Sequence, residues 1–236
     1  MTCCLRSKIL VKSWTKKTKN DQDLEAFIRS YGHLTTKQYR FLDIKKMTKS
    51  FKEKLGQGGY GKVYRGKLPD GRLVAVKILN ACKGNGEEFI NEVASISRTS
   101  HVNIVTLLGF CLEGHRRALI YEFMPNGSLE KFTYKEKPLQ TSPHLEWEKL
   151  LQISIGIARG LEYLHRGCNT KILHLDIKPH NILLDEDFSP KISDFGLAKL
   201  CPRKDSIVSI ANARGTIGYI APEVFSRNFG GVSSKS

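Results

Sequence analysis

The feature that most constrains this chain is a glycine-rich run set inside strand-like sequence. Residues 56–63 read Gly-Gln-Gly-Gly-Tyr-Gly-Lys-Val, a G-x-G-x-x-G-x-V pattern. Apolar residues alternate around Val63 and again over 73–76, and the Pro-Asp-Gly sequence at 69–71 between them is a strong turn signal. We therefore predict an antiparallel meander over 51–80. A strand directly after the glycines excludes a dinucleotide-binding fold, because that fold needs a helix at this point.

Helix-like and strand-like patterns alternate along the rest of the chain. A short helix is predicted to start from an N-cap at Asp43 and to run through Met47. A second helix fits 87–98, strands fit 104–111 and 117–123, and a long amphipathic helix fits 146–165. The apolar positions of the second helix are Phe89, Ile90, Val93 and Ile96, and those of the long helix are Leu150, Leu151, Ile153, Ile157, Leu161 and Leu164. Strands with one helix followed by a helical part indicate an α+β chain with two lobes.

Basic charge is concentrated near the N-terminus. The formal net charge is +15, and residues 1–54 hold 14 Lys and Arg against 5 Asp and Glu. A basic arm of this kind can lie on an anionic membrane surface, contact nucleic acid without specificity or be a solvated linker. No later stretch interleaves basic and aromatic residues as a nucleic-acid groove does, so we expect no specific nucleic-acid partner.

Cysteine usage and hydropathy indicate a cytoplasmic chain. The six cysteines form no CxxC pair and lie beside no histidine at a zinc-like spacing, as expected for reduced thiols. No apolar run approaches the roughly 18 residues of a membrane-spanning helix, and the N-terminus does not have the pattern of a secretory signal. We expect a cytoplasmic location, with the cytosolic face of the plasma membrane as the alternative that the basic arm allows.

The glycine-rich run is followed by two side chains suited to phosphate binding. Glycines let backbone N–H groups approach phosphate oxygens, because no Cβ stands in the way. Lys77 ends the Val-Ala-Val-Lys strand, and Glu92 lies on the next helix at a position that faces the sheet. A Lys–Glu pair would fix the ammonium to hold the α- and β-phosphates of a nucleotide. Taken alone, the glycines also fit a plain hairpin turn and the lysine a side chain that extends to water.

A polar segment at 174–181, His-Leu-Asp-Ile-Lys-Pro-His-Asn, carries groups that suit phosphoryl transfer. Asp176 can accept the proton of a substrate hydroxyl. Lys178 can neutralise charge on the transferred phosphoryl group, and Asn181 can ligate magnesium. An ordinary polar turn would also explain this segment if it stood alone.

Two further motifs complete a series that resembles one family. Asp-Phe-Gly at 194–196 follows a short strand, and its Asp194 would hold magnesium across the β- and γ-phosphates. Ala-Pro-Glu at 221–223 closes the series. In this order and spacing the motifs resemble the protein kinase family over about 51–223. Stretches such as FINEVASISRTSHVNIV and WEKLLQISIGIARGLEYLH most resemble plant receptor-like kinases of the subgroup related to rust-resistance kinases.

The resemblance implies the domain organisation and the chemistry. It implies a two-lobed protein kinase fold, with an antiparallel-sheet N-lobe and one helix at about 51–122 and an incomplete, mainly helical C-lobe at about 123–236. Residues 1–50 would form a basic, juxtamembrane-like arm. The implied reaction transfers the γ-phosphoryl group of ATP to serine or threonine hydroxyls of a protein substrate, with Mg²⁺, or Mn²⁺ in its place. The lysine in the catalytic segment and the Gly-Thr pair at 215–216 resemble serine/threonine kinases.

The resemblance also implies the site residues. Adenine would stack between Val63 and Ala75 above and Leu183 below, with hinge contacts from the backbones of Glu122 and Met124. The implied catalytic residues are Asp176, Lys178, Lys77 and Glu92, with Asn181 and Asp194 as metal ligands. The implied ATP-binding residues are Leu55, Gly56, Gln57, Gly58, Gly59, Tyr60, Gly61, Val63, Ala75, Lys77, Tyr121 as gatekeeper, Glu122, Met124 and Leu183.

The sequence departs from the family pattern at two places. Leu175 replaces the arginine that normally pairs with a phosphate on the activation segment, where the candidate phosphorylation sites are Ser206, Ser209 and Thr216. Family members also continue past Ser236 through further helices, so we expect a loosely packed C-lobe or one that depends on a partner kinase or receptor. Three interpretations stay open: an active kinase in receptor-like-kinase signalling, a catalytically inactive module that binds nucleotide or a partner, and an incomplete gene model.

Overall fold

The computed structural model describes residues 36–59, 61–80, 87–133, 145–201, 207–208, 215–221 and 232–233. Its first part is a six-stranded sheet with the strand order β1-β5-β6-β4-β3-β2. The strands are β1 (Lys37–Gln38), β2 (Lys54–Gly58), β3 (Gly61–Lys67), β4 (Leu73–Leu79), β5 (Leu107–Glu113) and β6 (Arg116–Glu122). Two helices pack on this sheet, α1 (Phe41–Met47) and α2 (Glu87–Ile96).

The predicted meander over 51–80 is present as β2, β3 and β4, paired antiparallel. The turn between β3 and β4 forms where the Pro-Asp-Gly signal predicted it. Gly71 has a φ of +93°, a backbone conformation that glycine adopts without strain. The Asp70 carboxylate accepts the backbone N–H of Arg72 at 3.0 Å and so closes the turn.

The structure describes residues 36–50 of the predicted N-terminal arm, and this part of the arm packs on the sheet. β1 pairs in parallel with β5, so the sheet is mixed where sequence reasoning predicted antiparallel strands throughout. Ile44 and Met47 of α1 are buried. Burying an aliphatic side chain contributes about 1.5–3 kcal/mol, which is enough to hold this short helix in place.

The predicted N-cap of α1 is wrong. The helix begins at Phe41 and its N-cap residue is Arg40, whereas Asp43 is the third helical residue. The Asp43 carboxylate still contributes to the helix start, because it accepts the backbone N–H of Arg40 at 3.2 Å.

Helix α2 and the loop after it contact both the sheet and the second part of the chain. Phe89, Val93 and Ile96 are buried and Ile90 is partly buried, as the helical spacing predicted. The strand predicted from residue 104 begins at 107. The reason is that Ile104 forms a parallel bridge with Ile192 of the second part instead.

The second part of the chain consists of one long helix and short paired strands. Its elements are β7 (Gly127–Ser128), α3 (Glu130–Thr133), α4 (Trp147–Glu162), β8 (Lys171–Leu173), β9 (Ile182–Leu184), β10 (Pro190–Ile192), β11 (Lys199–Cys201), β12 (Ile207–Val208) and β13 (Val232–Ser233). Strands β7, β9 and β10 form one antiparallel sheet, β8 pairs with β11, and β12 pairs with β13. Among the described residues, no helix is long and apolar enough to cross a membrane.

Helix α4 lies directly against β10. A Cβ atom added to Gly156 would stand 2.5 Å from the Pro190 ring, and one added to Gly160 would stand 2.9 Å from Ile192, so only glycine permits this approach. Ile153 is buried on the same side. The helical pattern predicts Leu151 on the apolar side, but it is 48% exposed, because it lies about 100° around the helix from Leu150.

One hydrophobic core spans both parts of the molecule. It joins side chains of α2, β5 and β6 to side chains of α4, β9 and β10, and it encloses Phe195, which is fully buried. The shared core sets how the sheet lies over the second part and leaves a cleft between the two. These observations confirm the predicted fold class.

Candidate active site

A cleft of about 340 Å³ lies between the sheet and β9. This volume is within the range of small-molecule sites. The cleft is lined by nine of the residues implied for ATP binding: Leu55, Gly56, Val63, Ala75, Lys77, Tyr121, Glu122, Met124 and Leu183. Glu92, Asn181 and Asp194 also line it. Sequence reasoning missed a further group of lining residues: Val105, Phe123, Pro125, Gly127, Ser128, Lys131, His180 and Ser193.

The glycines between β2 and β3 have different local roles. A Cβ added to Gly56, Gly58 or Gly59 would meet no atom within 4 Å, so the space above the cleft at these positions is open. Gly61 is packed, because its Cβ would collide with the carbonyl of Ile78 on β4. Gln57, Gly58, Gly59 and Gly61 do not line the cleft itself, and Tyr60 lies outside the described residues.

Lys77 joins two carboxylates that are distant in sequence. It lies on β4, and its ammonium donates to Glu92 of α2 at 2.9 Å and to Asp194 at 2.7 Å. Strand alternation explains the direction of the side chain. Val74 and Val76 are fully buried under α1, so Ala75 and Lys77 face the cleft. The predicted Lys–Glu pair is therefore present in the geometry.

Burial and the short ion pairs set the charges of this cluster. Burial by itself would lower the pKa of Lys77, but Glu92 and Asp194 together outweigh it and raise that pKa, so the ammonium stays charged. Burial would raise the pKa of Asp194, but the neighbouring Lys77 cation lowers it. Burial raises the pKa of Glu92, which is 1% exposed, so its ionised form depends on the donors around it.

Tyr121 supplies one of those donors. Its hydroxyl donates to the second carboxylate oxygen of Glu92, and both groups are buried. Burial raises the pKa of Tyr121 well above its ordinary value, which keeps the hydroxyl protonated as a donor. Sequence reasoning gave Tyr121 the gatekeeper position but did not predict this contact, because no local pattern links a strand residue to a helix residue 29 positions away.

The carboxylate of Asp176 is held by three donors. One oxygen accepts from Lys178 at 2.9 Å and from the Asn181 amide at 2.9 Å. The other oxygen accepts from the Thr216 hydroxyl at 2.6 Å. A carboxylate has about four lone-pair sites, so one acceptor site stays available for a substrate hydroxyl. This arrangement fixes the carboxylate in place and is compatible with the predicted role of Asp176 as a general base.

Thr216 connects the base to the neighbouring lysine. Its hydroxyl accepts from Lys178 at 2.6 Å while it donates to Asp176. Sequence reasoning named Thr216 as a candidate phosphorylation site, and that role stays a prediction. The other two candidates, Ser206 and Ser209, lie outside the described residues.

His174 fixes the backbone under the base. Its ring donates through Nε2 to the Ser193 carbonyl at 2.9 Å and accepts the Asp176 backbone N–H through Nδ1 at 3.2 Å. Burial lowers the pKa of His174, so the ring is neutral at pH 7. The ring also meets Phe195 edge to face at 4.7 Å between centroids, which ties the two polar segments together.

Backbone conformation turns Asp194 into the cleft. Asp194 has a φ of +64°, a region that non-glycine residues enter only when the surrounding structure requires it. Phe195 is buried in the core behind it, and the Asn91 amide of α2 donates to the Gly196 carbonyl at 3.3 Å. The buried ring and the helix contact together hold the Asp194 carboxylate toward Lys77.

Leu175 also has a left-handed backbone, with a φ of +62°. Its side chain packs against Leu173 of β8 and Cys201 of β11, both of which are buried. At the position where the family pattern has an arginine, Leu175 therefore makes an apolar contact. The start of the activation segment is held by this contact and by the pairing of β8 with β11.

Asn181 and Asp194 have the donor set that magnesium prefers. The Asn181 amide nitrogen is engaged with Asp176, which leaves its carbonyl oxygen as a ligand, and one oxygen of Asp194 is not used by Lys77. Among the described residues, no cluster of three His, Cys, Asp or Glu side chains would hold a metal ion alone. Mg²⁺ is commonly held by one or two carboxylates together with substrate phosphates, so these residues fit a metal that arrives with a nucleotide.

A cleft between two lobes, with Lys77 paired to Glu92 inside it and the Asp176 carboxylate held by three donors beside it, is the arrangement of two-lobed phosphotransferases of the kinase class. The model of the protein kinase domain matches residues 50–235, and the chain belongs to that family.

Its relatives are plant receptor-like kinases. The chain is 60% identical over 232 residues to the leaf rust 10 disease-resistance locus receptor-like protein kinase-like 2.4 of Arabidopsis thaliana, covering 97% of this chain and 37% of that protein. It is 62% identical over 213 residues to rust resistance kinase Lr10 of Triticum aestivum, covering 90% and 34%. It is 58% identical over 229 residues to the PR5-like receptor kinase of Arabidopsis thaliana, covering 97% and 33%. The chain thus spans about a third of the length of these curated relatives.

Proposed function

We propose that this chain transfers the γ-phosphoryl group of ATP to serine or threonine hydroxyls of a protein substrate, within receptor-like-kinase signalling. The observation that carries the proposal is the Asp176 carboxylate, which is held by Lys178, Asn181 and Thr216 with one acceptor site left. Asp176 lies next to the cleft, because Asn181, which donates to it, lines that cleft. A substrate hydroxyl at Asp176 would therefore also be close to the end of a bound triphosphate.

Each residue then has a distinct task. Lys77, fixed by Glu92, binds the α- and β-phosphates, and Asp176 takes the proton of the substrate hydroxyl. The hydroxyl oxygen forms the new bond to the γ-phosphorus as the bond to the leaving ADP oxygen breaks. Lys178 neutralises charge on the transferred group.

Magnesium is the metal proposed for the site, with Mn²⁺ as a substitute. Asn181 and Asp194 would hold it through the oxygen atoms that their other contacts leave available. When bound, the ion supplies charge neutralisation across the phosphates. The ionised state of Asp194, favoured by Lys77, prepares this ligand before nucleotide binds.

The proposed partners and location follow from the same chemistry. ATP and a protein substrate are the reacting partners, with a second kinase or receptor as a further one. The basic arm is proposed to meet an anionic membrane surface and no specific nucleic acid. A cytoplasmic location, at the cytosolic face of the plasma membrane, is supported by Cys111, Cys168 and Cys201, which are buried and form no disulfide.

A phosphotransfer assay tests the proposal. The purified chain is incubated with Mg·ATP and protein substrates, and the phosphorylated amino acids are identified. Asp176→Asn is expected to abolish transfer while leaving nucleotide binding in place. The matched control is Asp187→Asn, at an exposed aspartate of the turn before β10, which is expected to transfer normally.

The outcomes separate the proposed enzyme from its alternative. Phosphoserine or phosphothreonine that disappears in Asp176→Asn supports the proposal. Phosphotyrosine alone would contradict the acceptor class. Thermal stabilisation by Mg·ATP without any transfer would instead identify a catalytically inactive nucleotide-binding module.

A further inference from the structure

The outward side of α1 carries a compact group of positive charge. Lys45 and Lys46 follow Leu42 at helical spacings of three and four residues, on the side opposite the buried Ile44. Lys49 is exposed just past the end of the helix. Over 36–54 the sequence has seven Lys and Arg against two Asp and Glu, a net charge of +5. We call Leu42, Lys45, Lys46, Lys49 and Arg116 the cationic face.

Arg116 joins this group from the sheet. Its guanidinium lies 4.7 Å from the centroid of the Phe41 ring, and the Lys45 ammonium lies 5.9 Å from the same ring. One aromatic side chain therefore holds a cation from β6 and a cation from α1 on the same surface.

Asp43 and Glu113 are described carboxylates that lie near this group. Asp43 pairs with Arg40 at 3.5 Å and accepts its backbone N–H. Glu113 stands opposite Arg116 in the β5–β6 register. No described carboxylate pairs with the ammonium groups of Lys46 or Lys49, so their charge faces solvent.

An exposed apolar side chain lies among these cations. Leu42 is 63% exposed and stands next to Lys45 and Lys46 on the helix. A bilayer with anionic lipids accommodates both features, because lysine ammonium groups bind the headgroups while an apolar side chain enters the boundary below them. Single-stranded nucleic acid would need exposed rings for stacking, and the Phe41 ring is covered by Lys45 and Arg116.

The cationic face is rigidly placed on the side of the sheet away from the cleft. Val74 and Val76 of β4 pack under Ile44 and Met47, while Ala75 and Lys77 of the same strand face the cleft. A membrane that binds α1 would thus leave the nucleotide site open to solvent.

We infer that the cationic face docks this kinase domain on a bilayer that contains anionic lipids, with the nucleotide cleft turned away from the membrane. The inference rests on the membrane partner proposed for the basic arm. It does not depend on phosphotransfer, and it assigns the contact to the folded helix α1 in addition to the residues before it.

Vesicle co-sedimentation of the whole chain tests the inference. The probe is phosphatidylcholine vesicles with and without phosphatidylserine, at low and high salt. We expect binding that requires phosphatidylserine and weakens with salt. The triple variant Lys45→Gln/Lys46→Gln/Lys49→Gln is expected to bind about a hundred-fold more weakly, since three contacts with the anionic surface are lost. Leu42→Ser is expected to weaken binding at high salt, where the apolar contact matters most.

A matched triple variant controls for net charge. Lys149→Gln/Arg159→Gln/Arg166→Gln also removes three positive charges, from two exposed positions and the half-buried Lys149 on and after α4, and we expect it to bind vesicles as the unmodified chain does. Equal losses in the two triple variants, or no loss in the α1 variant, would overturn the inference. Equal binding to vesicles without phosphatidylserine, or tighter binding to single-stranded RNA, would also overturn it.

The same experiment separates this inference from the proposed function. Asp176→Asn is expected to bind vesicles normally, so a failure of phosphotransfer leaves the vesicle result unchanged. The α1 variant is expected to keep its thermal stabilisation by Mg·ATP, which shows that it is folded.

Discussion

Replacing Tyr121 with phenylalanine tests whether the buried hydrogen bond to Glu92 stabilises the cleft. The change removes one oxygen atom and leaves the ring in place. Glu92 keeps its ion pair with Lys77 at 2.9 Å but loses the donor to its other oxygen. Because Glu92 is 1% exposed, water does not replace that donor without opening the core.

The magnitude follows from the charge and the burial. A hydrogen bond to a charged group contributes about 1.5–3 kcal/mol. For a chain of this size, each kcal/mol shifts the melting temperature by about 2–4 °C. We therefore expect Tyr121→Phe to lower the melting temperature by about 3–12 °C. We also expect a lower kcat/KM, because Glu92 would position Lys77 less firmly.

Thermal unfolding followed by circular dichroism measures the effect, with Tyr163→Phe as the matched control. The Tyr163 hydroxyl accepts the Ser100 backbone N–H at 3.0 Å near the surface, so its loss is expected to cost about 1 kcal/mol or less. A Tyr121→Phe protein that melts with or above the unmodified chain would refute the argument. So would equal effects of the two substitutions.

Three further predictions follow from single contacts. Gly109→Ala is expected to destabilise the chain by about 1–3 kcal/mol in urea unfolding, because the new Cβ would stand 2.7 Å from the Lys37 carbonyl and would overlap the Tyr39 ring; an unchanged midpoint would contradict it. Asp194→Ala is expected to lose the thermal stabilisation by Mg·ATP, about 2.7 kcal/mol at a hundred times the dissociation constant, and a retained shift would exclude Asp194 as a metal ligand. His174 is expected to keep its neutral Nε2–H tautomer in ¹⁵N NMR spectra below pH 6.5, where histidines of the urea-unfolded chain protonate. Its lowered pKa means that the stability it contributes is present above about pH 6.5 and is lost as the pH falls, so a ring that titrates at the unfolded value would contradict the prediction.

Much of the candidate site was predictable because its motifs are local. Short motifs contain the glycine run, Lys77, Asp176 and Asp194, and each motif can be recognised from neighbouring residues alone. Each motif also has a distinct chemical purpose. The meander over 51–80 was also predictable, since alternation and turn chemistry act between neighbouring residues.

The misses share a cause, which is contact between segments that are distant in sequence. The parallel pairing of β1 with β5 was missed because residues 37–38 read as polar linker. Asp43 was placed at the helix start by residue preference alone, whereas packing of α1 on the sheet sets where the helix begins. The role of Thr216 beside Asp176 was not predicted, since it joins groups 40 positions apart.

The sequence by itself determined which reacting groups this protein has and in what order they occur, because residue identity and short-range spacing are properties of the chain. Only the tertiary structure decided that Glu92 is held by Tyr121 as well as Lys77, that Asp176 keeps one acceptor site, and that α1 covers the far side of the sheet. These outcomes depend on which side chains share one core and which groups lose their water, and burial is settled only when the whole chain has packed.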